Sequence, residues 1–236
     1  MLYIRCLEIE KMCNLYGFGR SGKNIGQFGR SMIEMLGVLA IIGVLSVGGI
    51  AGYSKAMEKF RHNRMIDEYK TLIMGLIEYR ESIMNSITGV SGDNSLYQII
   101  MAADLIPPTW EKVGISFTDT YGNLIYTYAT NYSQTKYEPH INMHIRLGGN
   151  QGEKQIGFDD NTCADLYSNL ILPLVDTFQS ARLERGHHFS ESKTYYGNGK
   201  CGENRECISK LTPVDIYNIC KSCDKENEPC SIILSF

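Results

Sequence analysis

The hydrophobic pattern of the chain begins with a long uncharged stretch and continues as a helical repeat. From Met35 to Tyr53 no residue is charged, and this length is close to the roughly 20 residues that a helix needs to cross the hydrocarbon core of a bilayer. Beyond it, apolar residues recur every three or four positions, at Met65, Tyr69, Leu72, Leu76, Tyr79, Ile83 and Ile87. This spacing is typical of an amphipathic helix. Because no proline occurs between residue 30 and Pro107, we predict one continuous helix from about Ile33 to about Ile87.

The pattern after this helix predicts an α+β fold. A short helix is expected over Ser95 to Leu105, before Pro107-Pro108. Alternating or β-rich segments then predict an antiparallel meander, and they are Ile115–Phe117, Leu124–Ala129 and Ile141–Leu147. Turn residues separate them at 120–123 and 148–152. A helix beginning at Asp159 or Asp160 and running through Cys163, Leu166, Leu170 and Val175, and a last strand over Ser231–Phe236, complete the prediction.

Charge divides the chain into a basic beginning and an acidic remainder. Residues 1–29 contain four basic and two acidic side chains, a net charge of +2, which leaves −5 for the rest of a chain whose total is −3. A basic start before an apolar segment predicts a cytoplasmic N-terminus and an exported body. The pI of about 6.0 argues against a nucleic-acid coat, so no direct nucleic-acid partner is expected.

The cysteines follow the same division. Cys6 and Cys13 lie in the first 29 residues, and six others lie late in the chain: Cys163, Cys201, Cys207, Cys220, Cys223 and Cys230. An even number in an exported domain predicts up to three disulfides, among which 15 pairings are possible. A zinc site built on Cys220-x-x-Cys223 is the alternative, but Cys201 and Cys207 are spaced too widely for its second pair.

The uncharged stretch differs from a cleaved signal peptide. No small-x-small cleavage site follows it, because the sequence continues directly into Lys55, Ala56, Met57 and Glu58. Its glycines would destabilise an isolated soluble helix, whereas the Gly48-x-x-x-Gly52 spacing puts two small residues on one face, where helices can approach closely. These features predict a membrane-spanning or helix-packing segment.

Residues 29–45 read GRSMIEMLGVLAIIGVL, and this stretch resembles the N-terminus of type IV prepilins and type II secretion pseudopilins. In that family a glycine precedes the cleavage site, a glutamate is the fifth residue of the mature chain, and an apolar helix follows. Gly29 and Glu34 match these positions. The resemblance covers about residues 26–60 in detail. The family's usual apolar first residue is replaced here by Arg30, which affects the expected N-methylation, and the long leader resembles the type IVb class.

The resemblance implies a domain organisation and an assembly role. Residues 1–29 would be a leader, 30–54 the transmembrane and filament-core half of the N-terminal helix, and 55–236 a periplasmic globular domain. Glu34 would pair with the new amine at Arg30 of a neighbouring subunit and set the axial register, which is reasonable because a carboxylate in hydrocarbon is costly without a partner. By likeness to type IVb pilins, Cys163 would be the helix cysteine, with a partner among Cys220, Cys223 and Cys230.

The function implied is structural, with no catalysis, cofactor or metal. The protein would be an inner-membrane, single-pass subunit that is later assembled into an extracellular type IV pilus. Its partners would be other pilin subunits, a prepilin peptidase, and the platform protein and ATPase of the assembly machinery. A minor pilin or a secretion pseudopilin is the alternative within the class. A periplasmic binding or enzyme domain that keeps its signal anchor, with Glu34 merely reaching the lipid headgroups, is the alternative outside it.

Other candidate residues have simpler explanations. His187, His188 and Glu191 lack the helical H-E-x-x-H arrangement of a zinc site and are expected in a solvated loop. Asp159-Asp160 lacks the alternating carboxylates of a calcium loop and is expected to cap a helix. The tyrosine-rich stretch 121–137 could stack on bases or sugars, but one face of a pleated sheet is the favoured interpretation.

Overall fold

The computed structural model describes residues 32–131, 138–147, 150–151, 154–155, 160–185, 193–202, 204–221 and 230–236. The chain divides into two compact units, Met1–Tyr53 and Ser54–Phe236. The described part of the first unit is helical throughout. The second unit is α+β, with helices and an antiparallel sheet. The coarse fold prediction is therefore confirmed.

Helix α1 covers Met32–Glu78 and is followed by α2, Arg80–Ser86. The prediction of one uninterrupted helix to Ile87 is wrong at Tyr79, where φ is −87° and ψ is 3°. The helical hydrogen bonds on either side persist, from Tyr79 N–H to the Gly75 carbonyl at 3.1 Å and from Ile83 N–H to the Tyr79 carbonyl at 2.9 Å. Leu76 and Ile83 are both buried, so the apolar spacing continues across the irregular residue. A pattern of spacing alone therefore does not reveal the break.

Within the described residues, the main sheet has the strand order β2-β3-β4-β5-β10-β8-β9, and β1 pairs with the remaining length of β4. All of these pairs are antiparallel. The strands are β1 Gly92–Ser95, β2 Glu111–Val113, β3 Ser116–Thr118, β4 Leu124–Asn131, β5 His140–Leu147, β8 Ser180–Arg185, β9 Lys193–Tyr196 and β10 Cys230–Ser235. A separate two-stranded pair joins β6 Asn150–Gln151 to β7 Lys154–Gln155. The predicted meander corresponds to β3, β4 and β5.

The later part of the chain contains more regular structure than expected. The short helix α3 covers Tyr97–Ala102, and α4 covers Asp160–Leu166 and continues as a π-helical turn over Tyr167–Ile171. The predicted extension of that helix to Val175 is therefore wrong. Helix α5, Pro213–Lys221, and strands β1, β8 and β9 were not predicted. The last strand was predicted, and it lies inside the sheet between β5 and β8.

The core of the second unit is formed by one face of α1, one face of the sheet and the helices α4 and α5. Every second residue of β5 from Ile141 to Leu147 is buried and apolar, and Ile232 and Leu234 of β10 continue the same face. The positions predicted from helical spacing are buried in α1, in α2 and at Ile87, and the exception is Tyr79 between the two helices, which is 40% exposed. Such alternation in strands and three-to-four spacing in helices is the pattern that brings apolar side chains together.

Gly197 fills a position where the chain has no space for a side chain. A Cβ atom there would lie 1.8 Å from the carbonyl oxygen of Phe178 and 2.9 Å from that of Val175. Both neighbours are backbone atoms, and Gly197 N–H already donates to the Gln179 carbonyl at 3.1 Å. The close approach can be relieved only by a shift of backbone, at Gly197 or in the segment that leads into β8.

We therefore expect Gly197→Ala to lower the free energy of unfolding by about 3 kcal/mol, as severe overpacking does. Urea denaturation of the full chain in detergent, monitored by the fluorescence of Trp110, measures this loss of stability. Gly199→Ala is the matched control, because Gly199 is exposed and has nothing within 4 Å of a built Cβ. Equal stability of the two variants would contradict the steric argument.

Candidate functional site: the exposed apolar segment of α1

The segment Met35–Tyr53 of α1 presents its apolar side chains to the outside. The large ones are all more than half exposed, from 53% for Ile42 to 74% for Val44, and the others are Met35, Leu36, Val38, Leu39, Ile41, Leu45, Val47, Ile50 and Tyr53. Leaving a side chain of this kind in water forgoes about 1.5–3 kcal/mol of burial free energy. An exposed apolar surface of this extent indicates an interaction with lipid or with another protein.

The same helix is long and apolar enough to cross a membrane, by length and composition. Among the described residues, no side chain in the most apolar part of this helix is buried. This finding agrees with the predicted membrane segment. In contrast, the later α1 residues Met65, Tyr69 and Leu72 are buried in the core of the second unit. One helix therefore serves two environments in succession.

No steric contact among the described residues accounts for the glycines of this segment. A Cβ atom built on Gly48 or Gly52 would meet nothing within 4 Å, and the same holds for Gly37, Gly43 and Gly49. Each glycine weakens a helix by roughly 1 kcal/mol relative to alanine. Contacts among the described residues therefore do not explain their use. Close approach of another helix is the use that small residues at this spacing commonly have.

Glu34 lies in the first turn of α1, one residue before the uncharged segment. Its side chain is exposed, and it forms no hydrogen bond or ion pair with a described residue. The positive end of the helix dipole favours a carboxylate at this position. Gly29 and Arg30, the residues of the predicted cleavage site, lie outside the described residues. The structure therefore places Glu34 at the start of the apolar segment, and the predicted pairing with Arg30 lies outside the described residues.

Polar contacts within the second unit join its part of α1 to other elements of that unit. The carboxylate of Glu68 accepts hydrogen bonds from Thr109 Oγ1 at 2.8 Å and from Trp110 Nε1 at 2.9 Å. His62 Nδ1 lies 2.6 Å from Asp165 Oδ2, which links α1 to α4. Helical spacing does not identify these residues, because their partners are 41 to 103 positions away in sequence.

A third contact is buried beneath α1. The hydroxyl of Tyr69 donates to Asp119 Oδ2 at 2.5 Å, and Asp119 Oδ1 accepts from the backbone N–H groups of Tyr121 and Asn123 at 2.8 Å each. Burial raises the pKa of Asp119 above its ordinary 3.8, although these donors act in the opposite direction. Burial, followed by the nearby Asp119 carboxylate, raises the pKa of Tyr69 well above 10. Tyr69 is therefore a neutral donor at physiological pH.

Two disulfides join described cysteines. Cys163 of α4 is bonded to Cys220 of α5, with their Cα atoms 5.7 Å apart, and Cys201 is bonded to Cys207. Cys230 is also disulfide-bonded. Cys223 lies outside the described residues. The prediction of disulfides is confirmed, and Cys220 is the partner of Cys163 among the three candidates.

The other candidates of the sequence are only partly described. Asp160 is the first residue of α4, so it lies at the helix start where Asp159 or Asp160 was expected. Tyr126 and Tyr128 lie in β4 with stacked rings whose centroids are 5.2 Å apart, so this part of the tyrosine-rich stretch belongs to a sheet face. His187, His188, Glu191 and Asp159 lie outside the described residues. The described residues include no group of three or more potential metal ligands.

A functional assignment depends on the geometry of the apolar segment and of Glu34, because comparisons with known proteins gave no match. No family model, no curated protein and no solved structure matches the chain.

Proposed function

We propose that this protein is a structural subunit of a type IV pilus or a related filament, with a pilin fold. The observation that carries the proposal is the apolar segment of α1, which is exposed along its whole length and has Glu34 at its start. The later half of the same helix belongs to the core of the disulfide-containing α+β unit. The prepilin-like sequence around Gly29 supports the same function.

The proposed mechanism begins with storage in the inner membrane. Lipid covers the apolar segment there, so its exposed side chains have no contact with water. A membrane prepilin peptidase removes residues 1–29, and the assembly platform and its ATPase extract the subunit. In the filament, the apolar segments of neighbouring subunits replace the lipid. The glycines at 37, 43, 48, 49 and 52 allow these helices to approach closely.

Glu34 would determine the register of assembly. Once the lipid is removed, an unpaired carboxylate among apolar helices is costly, and the amine exposed at Arg30 of the adjacent subunit can neutralise it. The Arg30 side chain adds a second cation at the same place. A stack in which every Glu34 meets such an amine is favoured over any other axial offset. The subunit would need no cofactor and perform no catalysis.

The glycines favour this function over a retained signal anchor. A single anchor helix surrounded by lipid has no need for five glycines in the segment, because each lowers helix stability. Packed helices in a filament core do need small residues, because glycines let neighbouring helices approach closely. The same observation applies equally to a major pilin, a minor pilin and a secretion pseudopilin.

Intact-mass spectrometry of the protein purified from its native membrane tests the proposal. We expect a chain that begins at Arg30, whether or not its amine is methylated. A strain lacking the prepilin peptidase should yield the chain with residues 1–29 still attached. A native chain that retains its first 29 residues in the presence of the peptidase would contradict the proposed function.

A further inference from the structure

A basic segment, residues 55–64, follows the apolar segment in α1. Within ten residues it contains Lys55, Lys59, Arg61 and Arg64, and Glu58 is the only acidic residue among them. All four basic side chains are exposed. Arg64 Nε is paired with Glu68 Oε1 at 3.0 Å. The other three form no ion pair with a described residue, so their charges are available to a partner.

An aromatic side chain lies in the middle of the basic segment. Phe60 is 61% exposed, although it belongs to the second unit, where apolar residues of α1 are otherwise mostly buried. Helical geometry places its neighbours Lys59 and Arg61 about 100° to either side of it, and Arg64 one turn further along its own face. An apolar ring between long cationic side chains is typical of helices at a membrane interface, where the ring enters the headgroup layer and the cations remain at the phosphates.

The position of these cations needs an explanation. The positive-inside rule disfavours Lys and Arg next to a membrane span on the exported side. In the proposed orientation, the basic segment lies on that side. Four basic residues directly after the span therefore act against the orientation that the basic leader favours. The acidic residues that follow them do not need these cations for solubility. A specific electrostatic partner accounts for them.

We propose that the basic segment binds the anionic phospholipid headgroups of the leaflet on the exported side while the subunit is stored in the membrane. This inference rests on the proposed membrane storage. Lys55 and Lys59 are about 6 Å apart along the helix at 1.5 Å per residue, which fits an interfacial layer of roughly 5–8 Å on each side of the hydrocarbon. Arg61 and Arg64 can reach back into this layer because their side chains are long. Extraction into a filament would then release the headgroups.

Differential amine labelling of the full chain tests the contact. The protein is inserted into nanodiscs of neutral phosphatidylcholine alone or mixed with anionic phosphatidylglycerol. A neutral amine-reactive reagent is added, and mass spectrometry gives the labelling rates of Lys55 and Lys59 relative to Lys112, an exposed lysine of β2. We expect this ratio to fall about fivefold in the anionic nanodiscs. It should recover at about 1 M salt, where the screening length is about 3 Å.

Variants separate the basic segment from charge in general. Arg61→Gln/Arg64→Gln keeps both reporter lysines and should restore most of their labelling in anionic nanodiscs. Arg80→Gln, at an exposed position of α2, is the control and should leave the ratio low. An equal ratio in the two kinds of nanodisc would overturn the proposal. A second result would also overturn it: the double variant fails to enter filaments, and the labelling of the wild type does not depend on the lipid. In that case the cations would contact another subunit. A chain that fails to insert into either nanodisc would contradict membrane storage itself, and with it the lipid contact.

Discussion

Replacing Glu34 by alanine is expected to leave the protein in the membrane but to reduce its incorporation into filaments to less than about a tenth of the wild-type level. Removing one partner of a buried ion pair costs about 3–5 kcal/mol, because the other charge is left without compensation. Here the remaining charge would be the amine at Arg30 of the adjacent subunit. Membrane insertion should be unchanged or improved, since the substitution removes a carboxylate from the edge of the hydrocarbon.

Membrane fractionation and quantification of sheared filaments measure the two effects separately. Glu78→Ala is the matched control, because Glu78 is also an exposed glutamate of α1 but lies at the other end of the helix. Glu34→Asp keeps the charge and should assemble better than Glu34→Ala. Normal filament incorporation of Glu34→Ala would remove the argument for register. Loss of the protein from the membrane would show that Glu34 acts before assembly.

Removing the Cys163–Cys220 disulfide is expected to have the largest effect on the stability of the second unit. It closes a loop of 57 residues, against 6 for Cys201–Cys207. In the chain-entropy treatment, these loops correspond to about 4 and about 2 kcal/mol of stabilisation. Both Cys163 and Cys220 are buried, so alanine leaves no unpaired polar atom at either position.

Urea denaturation of the full chain in detergent gives the comparison, with Trp110 as the probe. Trp110 is the only tryptophan of the chain, and its ring lies 5.6 Å from that of Tyr69 in an edge-on contact. Cys163→Ala/Cys220→Ala should unfold at a clearly lower urea concentration than Cys201→Ala/Cys207→Ala. The reverse order would show that the short loop, rather than the link between α4 and α5, stabilises the unit.

The long helix and its change of environment were predictable from local pattern alone. A helix repeats every 3.6 residues, so apolar spacing at Met65, Tyr69 and Leu72 identifies the face that becomes buried. An uncharged stretch of sufficient length identifies a membrane-spanning candidate in the same way. The strands β3, β4, β5 and β10 were predictable because they are rich in β-branched or alternating apolar residues.

The unpredicted elements have weaker local signals. In strand β8 the buried residues Ala181 and Leu183 alternate with Arg182 and Glu184, which form an ion pair at 2.8 Å, so its sequence lacks an apolar run. Strand β1 is Gly-Asp-Asn-Ser, which resembles a turn. It becomes a strand because β4 offers an unpaired edge beyond the end of β3. Pairing of this kind depends on a partner that is distant in sequence, and local propensity does not contain it.

The apolar segment, the carboxylate at its start and the supply of cysteines can be identified from the sequence, because each of these is a local property of the chain. The tertiary structure, in contrast, sets the pairing of Cys163 with Cys220, since six cysteines allow many pairings and the choice depends on which helices lie side by side. It also decided that Glu68, Asp119 and Asp165 would hold α1, because a buried or half-buried carboxylate finds its donors in space rather than along the chain.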